Sequence, residues 1–175
     1  MVHPNAVRSQ RWLTAALLEL MREKPFARIT ISEIADKAQL SRRTFYRNFA
    51  TKEQILSAYT RDLMEEYIAA VRPVVDRPMR DIVFIHLTFW RRHLEFLRTM
   101  QHEQMLFLLL EKYNEYIAEV RDRAGSTRYT ELSREEYALA FNAGGHLNVV
   151  FEWLRRGAVD DPEAVAATFE GFGDR

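Results

Sequence analysis

The sequence predicts an all-α protein with a basic head and an acidic body, and three observations carry that reading. Apolar residues recur three and four apart through segment after segment, and no stretch sustains the period-two alternation of a half-buried strand. Ser or Thr followed three residues later by Glu or Gln, the capping-box spacing that opens helices, occurs at Thr30, Thr51 and Ser133. Charge divides along the chain: through Thr60 there are 10 Lys/Arg against 5 Asp/Glu, and beyond it 15 against 20. The formal net charge of zero therefore hides a head of +5 and a body of −5. Because phosphate attraction is local and screened within about 8 Å at physiological salt, such a head can bind a polyanion despite overall neutrality.

The first helix is expected over Val7–Glu23, with Trp12, Leu13, Ala16, Leu17, Leu20 and Met21 forming its apolar stripe and Met1–Asn5 frayed before it. Pro25 ends it by disfavouring helical backbone in the residue before, and Phe26 is placed as a core plug at the corner. Thr30-Ile31-Ser32-Glu33 caps a short second helix with Ile31, Ile34, Ala35 and Ala38 inward, ending near Gln39. Ser41 caps the third, in which Phe45 and Phe49 lie four apart and inward while Arg42, Arg43, Tyr46 and Arg47 remain outward.

Thr51-Lys52-Glu53-Gln54 opens a long fourth helix carrying Ile55, Leu56, Tyr59, Leu63, Tyr67, Ile68 and Val71 and stopping before Pro73. Pro73 and Pro78 bracket a hinge at about residue 75 between basic and acidic parts. Met79–Met100 reads as two helices broken near His93, and Gln104–Ala124 as another, ended by Gly125. After a polar loop to Leu132, Ser133 opens a helix to Arg156 that Gly157 terminates. Asp161-Pro162 then starts a last helix to about Phe172.

A third helix built this way has the chemistry of a DNA reader. A recognition helix presents its first turns to base edges in the major groove. Arg42 and Arg43 stand there, and each offers a planar donor fork that matches guanine O6 and N7 or grips phosphate. Thr44 suits a thymine methyl or a phosphate, Tyr46 can donate its hydroxyl to the backbone, and Arg47 lies one turn on from Arg43. The helix starts at Thr30, Ser41 and Lys52 are natural phosphate contacts, though Thr30 is equally explained by capping alone.

Leu13–Tyr59 resembles the DNA-binding domain of the TetR family of bacterial transcriptional regulators. The residues that carry the resemblance are Thr30-Ile31, Ile34-Ala35 and Ala38, then Leu40-Ser41, Thr44-Phe45-Tyr46 and Phe49, then Lys52-Glu53. The sequence departs from the pattern at Gln39, where the family often has glycine, and at Pro25-Phe26, where a glycine-aromatic pair is usual. The resemblance implies operator contacts at Arg42, Arg43, Thr44, Tyr46, Asn48 and Lys52, and core roles for Ile34, Ala35, Phe45 and Phe49. It also implies a three-helix helix-turn-helix DNA-binding head over residues 1–54, joined by the long fourth helix to a helical effector-binding and dimerisation domain over residues 55–175. The expected partners are double-stranded operator DNA, a second copy of the chain in a homodimer, and an unidentified small-molecule effector.

For the effector the sequence offers Phe84, Phe89, Trp90, Phe96, Met100, Phe107, Tyr113 and Phe141, with His86 and His146 as polar anchors. For the dimer seam it offers Tyr137, Phe141, Gly144, Gly145, Asn148 and Phe151, with Val165 and Phe169 from the last helix. The glycine pair stands mid-helix, where each costs about 1 kcal/mol relative to alanine and so asks for close helix approach in return. His86 and His93 stand seven apart with His102-Glu103 following, which makes a metal site conceivable, but with no HExxH, no clustered His-Asp ligands and no cysteine, no metal or other cofactor is expected. No phosphate loop, nucleophile elbow or paired-carboxylate site supports an enzyme. Zero cysteines exclude disulfides, thiol catalysis and thiolate metal sites, and fit a cytoplasmic location. The longest apolar run, Met105–Leu110, is far short of the roughly 20 residues of a membrane span. The expected function is that of a ligand-responsive repressor on a palindromic operator; the alternative is a TetR-like coactivator or adaptor whose body binds a protein partner.

Overall fold

The structure is a computed structural model that describes residues 4–74, 76–114 and 135–171. Among the described residues every regular element is helical: α1 (Pro4–Glu23), α2 (Ile31–Lys37), α3 (Arg42–Asn48), α4 (Lys52–Val71), α5 (Met79–Arg92), α6 (Leu94–His102), α7 (106–114), α8 (Glu135–Arg155) and α9 (Pro162–Ala167). Short 3-10 turns follow α1 at Phe26–Arg28 and α4 at Arg72–Val74. The expected end of α7, the loop after it and the Ser133 capping box lie outside the described residues. None of the described helices is long and apolar enough to cross a membrane.

Two compact units result, one of Met1–Asp62 with Thr99–Gln104 and one of Leu63–Arg98 with Met105–Arg175. In the first, the head, α1, α2 and α3 pack pairwise on one another. Its centre is apolar and fully enclosed, with Leu13, Leu17, Ile34, Ala35, Phe45 and Ile55 all buried. Trp12 does not join the α1 stripe as its spacing had implied: it is 47% exposed, and the Arg8 guanidinium lies 5.1 Å from its ring. Leu13, Leu17, Leu20 and Met21 already cover that side of the helix, and Ser9 fills the buried position one turn before Leu13.

In the second unit, the body, α5 packs on both α8 and α9. Ile82, Val83, Leu87, Phe89 and Trp90 face inward from α5, and Leu147, Val150, Trp153 and Leu154 from α8. Surface ion pairs run from α5 to the start of α9, Arg80 to Glu163 and Arg91 to Asp161. The break between α5 and α6 falls at His93, whose φ of −108° and ψ of 24° leave the helical region. α9 stops at Ala167 rather than near Phe172, because Thr168, Phe169 and Glu170 close onto carbonyls three residues back in tight turns.

α2 and α8 end in the same device. The Leu40 amide donates to the Ala35 carbonyl at 2.8 Å and the Gln39 amide to Asp36 at 2.9 Å, the paired bonds of a Schellman cap. At the end of α8 the Ala158 amide reaches Trp153 at 2.8 Å and the Gly157 amide reaches Leu154 at 2.9 Å. The residue at the turn must be left-handed in both. Gly157 adopts φ 88° at no steric cost, whereas Gln39 holds φ 55° with a side chain attached.

Candidate DNA-binding interface

α3 is a seven-residue helix fixed at its start and along its inner face. Ser41, with extended backbone, accepts the Thr44 amide at 3.1 Å, and its hydroxyl also meets the Thr44 hydroxyl at 3.0 Å. Phe45 is fully buried and Phe49 nearly so, with ring centroids 6.4 Å apart. Since these two fill the core side, the helix can only turn Arg42, Arg43, Tyr46 and Arg47 outward. All four are exposed, and Tyr46 at 52% stands edge-on to Phe45 at 5.5 Å. Arg42, Arg43 and Arg47 have no hydrogen-bond or ion-pair partner among the described residues. The result is a solvated cationic face on a short, rigid helix.

Other cations of the head are already committed. Lys37 of α2 pairs with Glu23 at 2.6 Å and Glu19 at 3.1 Å of α1, and these contacts raise its pKa. Lys24 pairs with Glu33, and that bond, with the Thr30 backbone amide next in importance, pulls the Glu33 carboxyl down to about 2. Thr30 spends its side chain on the complete capping box: its amide and hydroxyl donate to the Glu33 carboxylate at 2.9 and 2.8 Å, and its oxygen accepts the Glu33 amide. Asn48 donates its amide nitrogen to the Thr44 carbonyl at 2.7 Å, so its carbonyl oxygen is the part left for another partner.

Lys52 has a role that its position at a helix start did not reveal. Its ammonium donates to the carbonyls of Phe26 at 2.6 Å, Ile29 at 2.8 Å and Ala27 at 3.2 Å, and lies 4.6 Å from the centre of the Phe26 ring. An ammonium has three protons, and all three are used within the protein. Expected as a phosphate contact, the Lys52 side chain is here a clamp on the turn between α1 and α2. Phe26 is only half-buried, and serves as the floor under that cation rather than as a core plug.

The other side of the same turn is held by a residue that sequence reasoning missed. The Glu103 carboxylate accepts the Phe26 amide at 2.7 Å. Nothing in the local sequence signals this contact, since the two residues stand 77 apart and Glu103 follows a helix rather than capping one. The second capping box is also displaced: the Gln54 side chain accepts the Ala50 amide at 2.8 Å, while its own amide reaches Thr51 at 3.4 Å.

The comparisons agree with this geometry. Residues 13–59, spanning α1 from its third turn through the first two turns of α4, match the family described as bacterial regulatory proteins, tetR family. Residues 13–59 carry the helix-turn-helix segment of the tetR family of bacterial regulatory proteins. Among solved structures, the dihydroxyacetone kinase operon activator DhaS is similar in fold, with a TM-score of 0.62 and 18% identity over 93% of this chain and 92% of that one. No curated protein matches the chain in sequence. The family match covers the three-helix head with the outward arginines of α3, and the DhaS match extends the shared fold across the body.

The body residues chosen from sequence as effector contacts separate into groups. His86, Phe89, Trp90, Phe96 and Tyr113 are buried, Phe84 and His146 are part-buried, and Met100 is buried among the residues of the head unit. Phe107 and Phe141, 64% and 78% exposed, stand at the surface rather than among these buried side chains. At the centre His86 meets the Tyr67 hydroxyl through Nδ1 at 2.9 Å, and the Tyr67 and Tyr113 hydroxyls share a hydrogen bond of 2.7 Å. Burial, followed by the nearby His146, pushes the His86 pKa well down, and burial pushes His146 down to about 4. Both imidazoles are neutral at pH 7. No cluster of three or more candidate metal ligands occurs among the described residues.

The residues expected at a dimer seam lie on α8, on α9 at Val165 and in the turn after α9 at Phe169. Tyr137, 82% exposed, and Phe141 precede Gly144 and Gly145, where an added Cβ would meet no atom within 4 Å. Asn148 is exposed, and Phe151, Val165 and Phe169 are part-buried. An open groove of about 330 Å³ between α8 and α9 is lined by Asn148, Val149, Trp153, Val165 and Phe169 among others.

Proposed function

We propose that this regulator is a cytoplasmic homodimer that binds a near-palindromic operator and represses transcription until a small molecule occupies the body. The observation that carries the reading is the outer face of α3, where Arg42, Arg43, Tyr46 and Arg47 project from a capped helix and the three arginines have no internal partner. A single short helix reads too few base pairs for specificity, so two heads must act together, one helical repeat of about 34–36 Å apart or at a compatible spacing. The α8 face supports the pairing: a Cβ added at Gly144 or Gly145 would meet no atom within 4 Å among the described residues, and the large apolar side chains of Tyr137 and Phe141 stand exposed on the same helix. A ligand that favours a different head separation shifts the population away from the DNA-bound state.

Lys52, with its ammonium engaged, serves this function by holding α4 to the α1–α2 turn; phosphate contact at the α4 start then falls to backbone amides. Activation in place of repression is the second reading, favoured by the structural similarity to a protein named as an operon activator. Selecting bound sequences from random duplex DNA with the purified chain tests the first claim, and a two-fold motif is the expected result. Recovery of no enriched motif overturns it. A reporter placed behind the selected site then separates repression from activation by the sign of the change.

A further inference from the structure

We propose that the body binds an uncharged, largely apolar effector through an oxygen function, a hydroxyl or carbonyl, held by the ring nitrogens of His86 and His146. The inference rests on the effector reading given above and names the chemistry of that effector. His86 is almost fully buried, and its ring centroid lies 5.5 Å from that of His146 on the facing helix. Each neutral imidazole carries one donor and one acceptor nitrogen. His86 engages Nδ1 with the Tyr67 hydroxyl, and His146 brings Nε2 to within 3.4 Å of the Met79 sulfur, a weak acceptor. The remaining two nitrogens, His86 Nε2 and His146 Nδ1, are enclosed and have no partner among the described residues. Trp90, one turn beyond His86 on α5, buries its indole N–H in the same condition.

Enclosed polar atoms without partners cost stability, so a molecule that pairs with them gains an interaction that its apolar analogue cannot offer. A hydroxyl both donates and accepts and so suits either tautomer, while a carbonyl suits the one in which both nitrogens carry protons. Charge is excluded by what surrounds the pair. Tyr67 and Tyr113 contribute hydroxyls, Phe89 stacks edge-on to Tyr67, and the charge of Arg80, whose Nε is enclosed without a partner, is balanced by Glu163 at its outer nitrogen. An ionic ligand would enter without a counter-charge, which in an apolar interior is strongly unfavourable.

A matched series of probes of one size tests this: benzyl alcohol, toluene, benzoate and benzylammonium, titrated into the full chain with ¹⁵N-labelled histidine rings followed by NMR. Saturable shifts of the His86 and His146 ring nitrogens with benzyl alcohol are expected, with toluene, benzoate and benzylammonium each weaker by about tenfold or more. In H86F and H146F the preference for benzyl alcohol over toluene is expected to vanish. Should either variant fail to fold, the wild-type ranking alone decides. Benzoate or benzylammonium binding as tightly as benzyl alcohol overturns the proposal, as does the absence of saturable ring shifts with every probe. Operator occupancy in the same samples distinguishes the two readings: benzyl alcohol bound with DNA retained upholds the site and defeats the effector-gated reading. DNA released by benzoate while the ring signals stay unchanged upholds gating and overturns the site.

Discussion

The head and the body place their unsatisfied groups on opposite sides of the protein surface. In the head, buried polar groups are paired and the unpartnered groups are cations turned to solvent on α3. In the body, the enclosed side-chain atoms without a partner among the described residues are on Arg80, His86, Thr88, Trp90 and His146, and all but Arg80 belong to neutral groups. A reader of a polyanion gains from charge that is already solvated and gives up ordered counterions on docking. An interior that admits a small molecule gains instead from polar atoms that water does not reach. With the effector proposed above, the same helical architecture would carry two kinds of recognition, one salt-sensitive and one governed by desolvation.

The largest expected effect breaks the head side of this contrast. Replacing Arg42, Arg43 and Arg47 together by alanine should lower operator affinity on the order of a thousandfold, since each good bidentate contact carries about 1–3 kcal/mol. Thermal unfolding should hardly move, because none of the three has an internal partner. A comparable loss of folding stability would show that they brace the head rather than read DNA.

The body side is tested by pH. His146 is held near 4 and His86 is also lowered, so each is neutral when folded and takes up a proton more readily when unfolded. Their contribution is fully present above the ordinary histidine pKa of about 6.5 and is lost as pH falls from there toward 4. At pH 5 the His146 share alone amounts to about 2 kcal/mol, at 1.36 kcal/mol per unit. Urea unfolding at pH 7.5 and pH 5 should show this difference in the wild type, and H146F should lose much of it. Unchanged acid sensitivity in H146F would falsify the assignment.

A smaller effect sharpens the distinction between cations that read and cations that hold. Lys52→Met should destabilise the head by about 1–2 kcal/mol through lost charge-assisted hydrogen bonds, with little change in the dependence of operator affinity on salt. Arg47→Ala should do the reverse if Arg47 meets phosphate, lowering the slope of log affinity against log salt by about 0.9. Anisotropy titrations at several salt concentrations, paired with melting curves, give both readouts. The smallest change expected is a gain: Gln39→Gly should stabilise the head by about 1 kcal/mol by relieving a left-handed side chain.

Legibility in the sequence followed the range of the interactions. Thr30, Ser41 and Asp161 cap helices through bonds two or three residues away, and a one-dimensional pattern contains such information. The inward pair Phe45 and Phe49 and the outward arginines follow from helical period alone. Lys52 and Glu103 illustrate the opposite case, because both act on Phe26, from 26 and 77 residues away. A lysine at a helix start reads as a phosphate ligand until the carbonyls that occupy it are known. Exposure of Trp12, Phe107 and Phe141 was equally hidden, since helical spacing marks a side chain as apolar without saying whether a neighbour covers it.

The left-handed Gln39 has a consequence for altering what this protein recognises. Most substitutions in a small domain are destabilising, and changes that retarget a recognition helix draw on a limited margin before the fold fails. The cap that sets the entry into α3 currently holds a residue whose backbone conformation glycine tolerates better. A glycine placed there first would widen the margin, so that libraries varied at Arg42, Arg43 and Thr44 would retain more folded members and report binding preference rather than collapse.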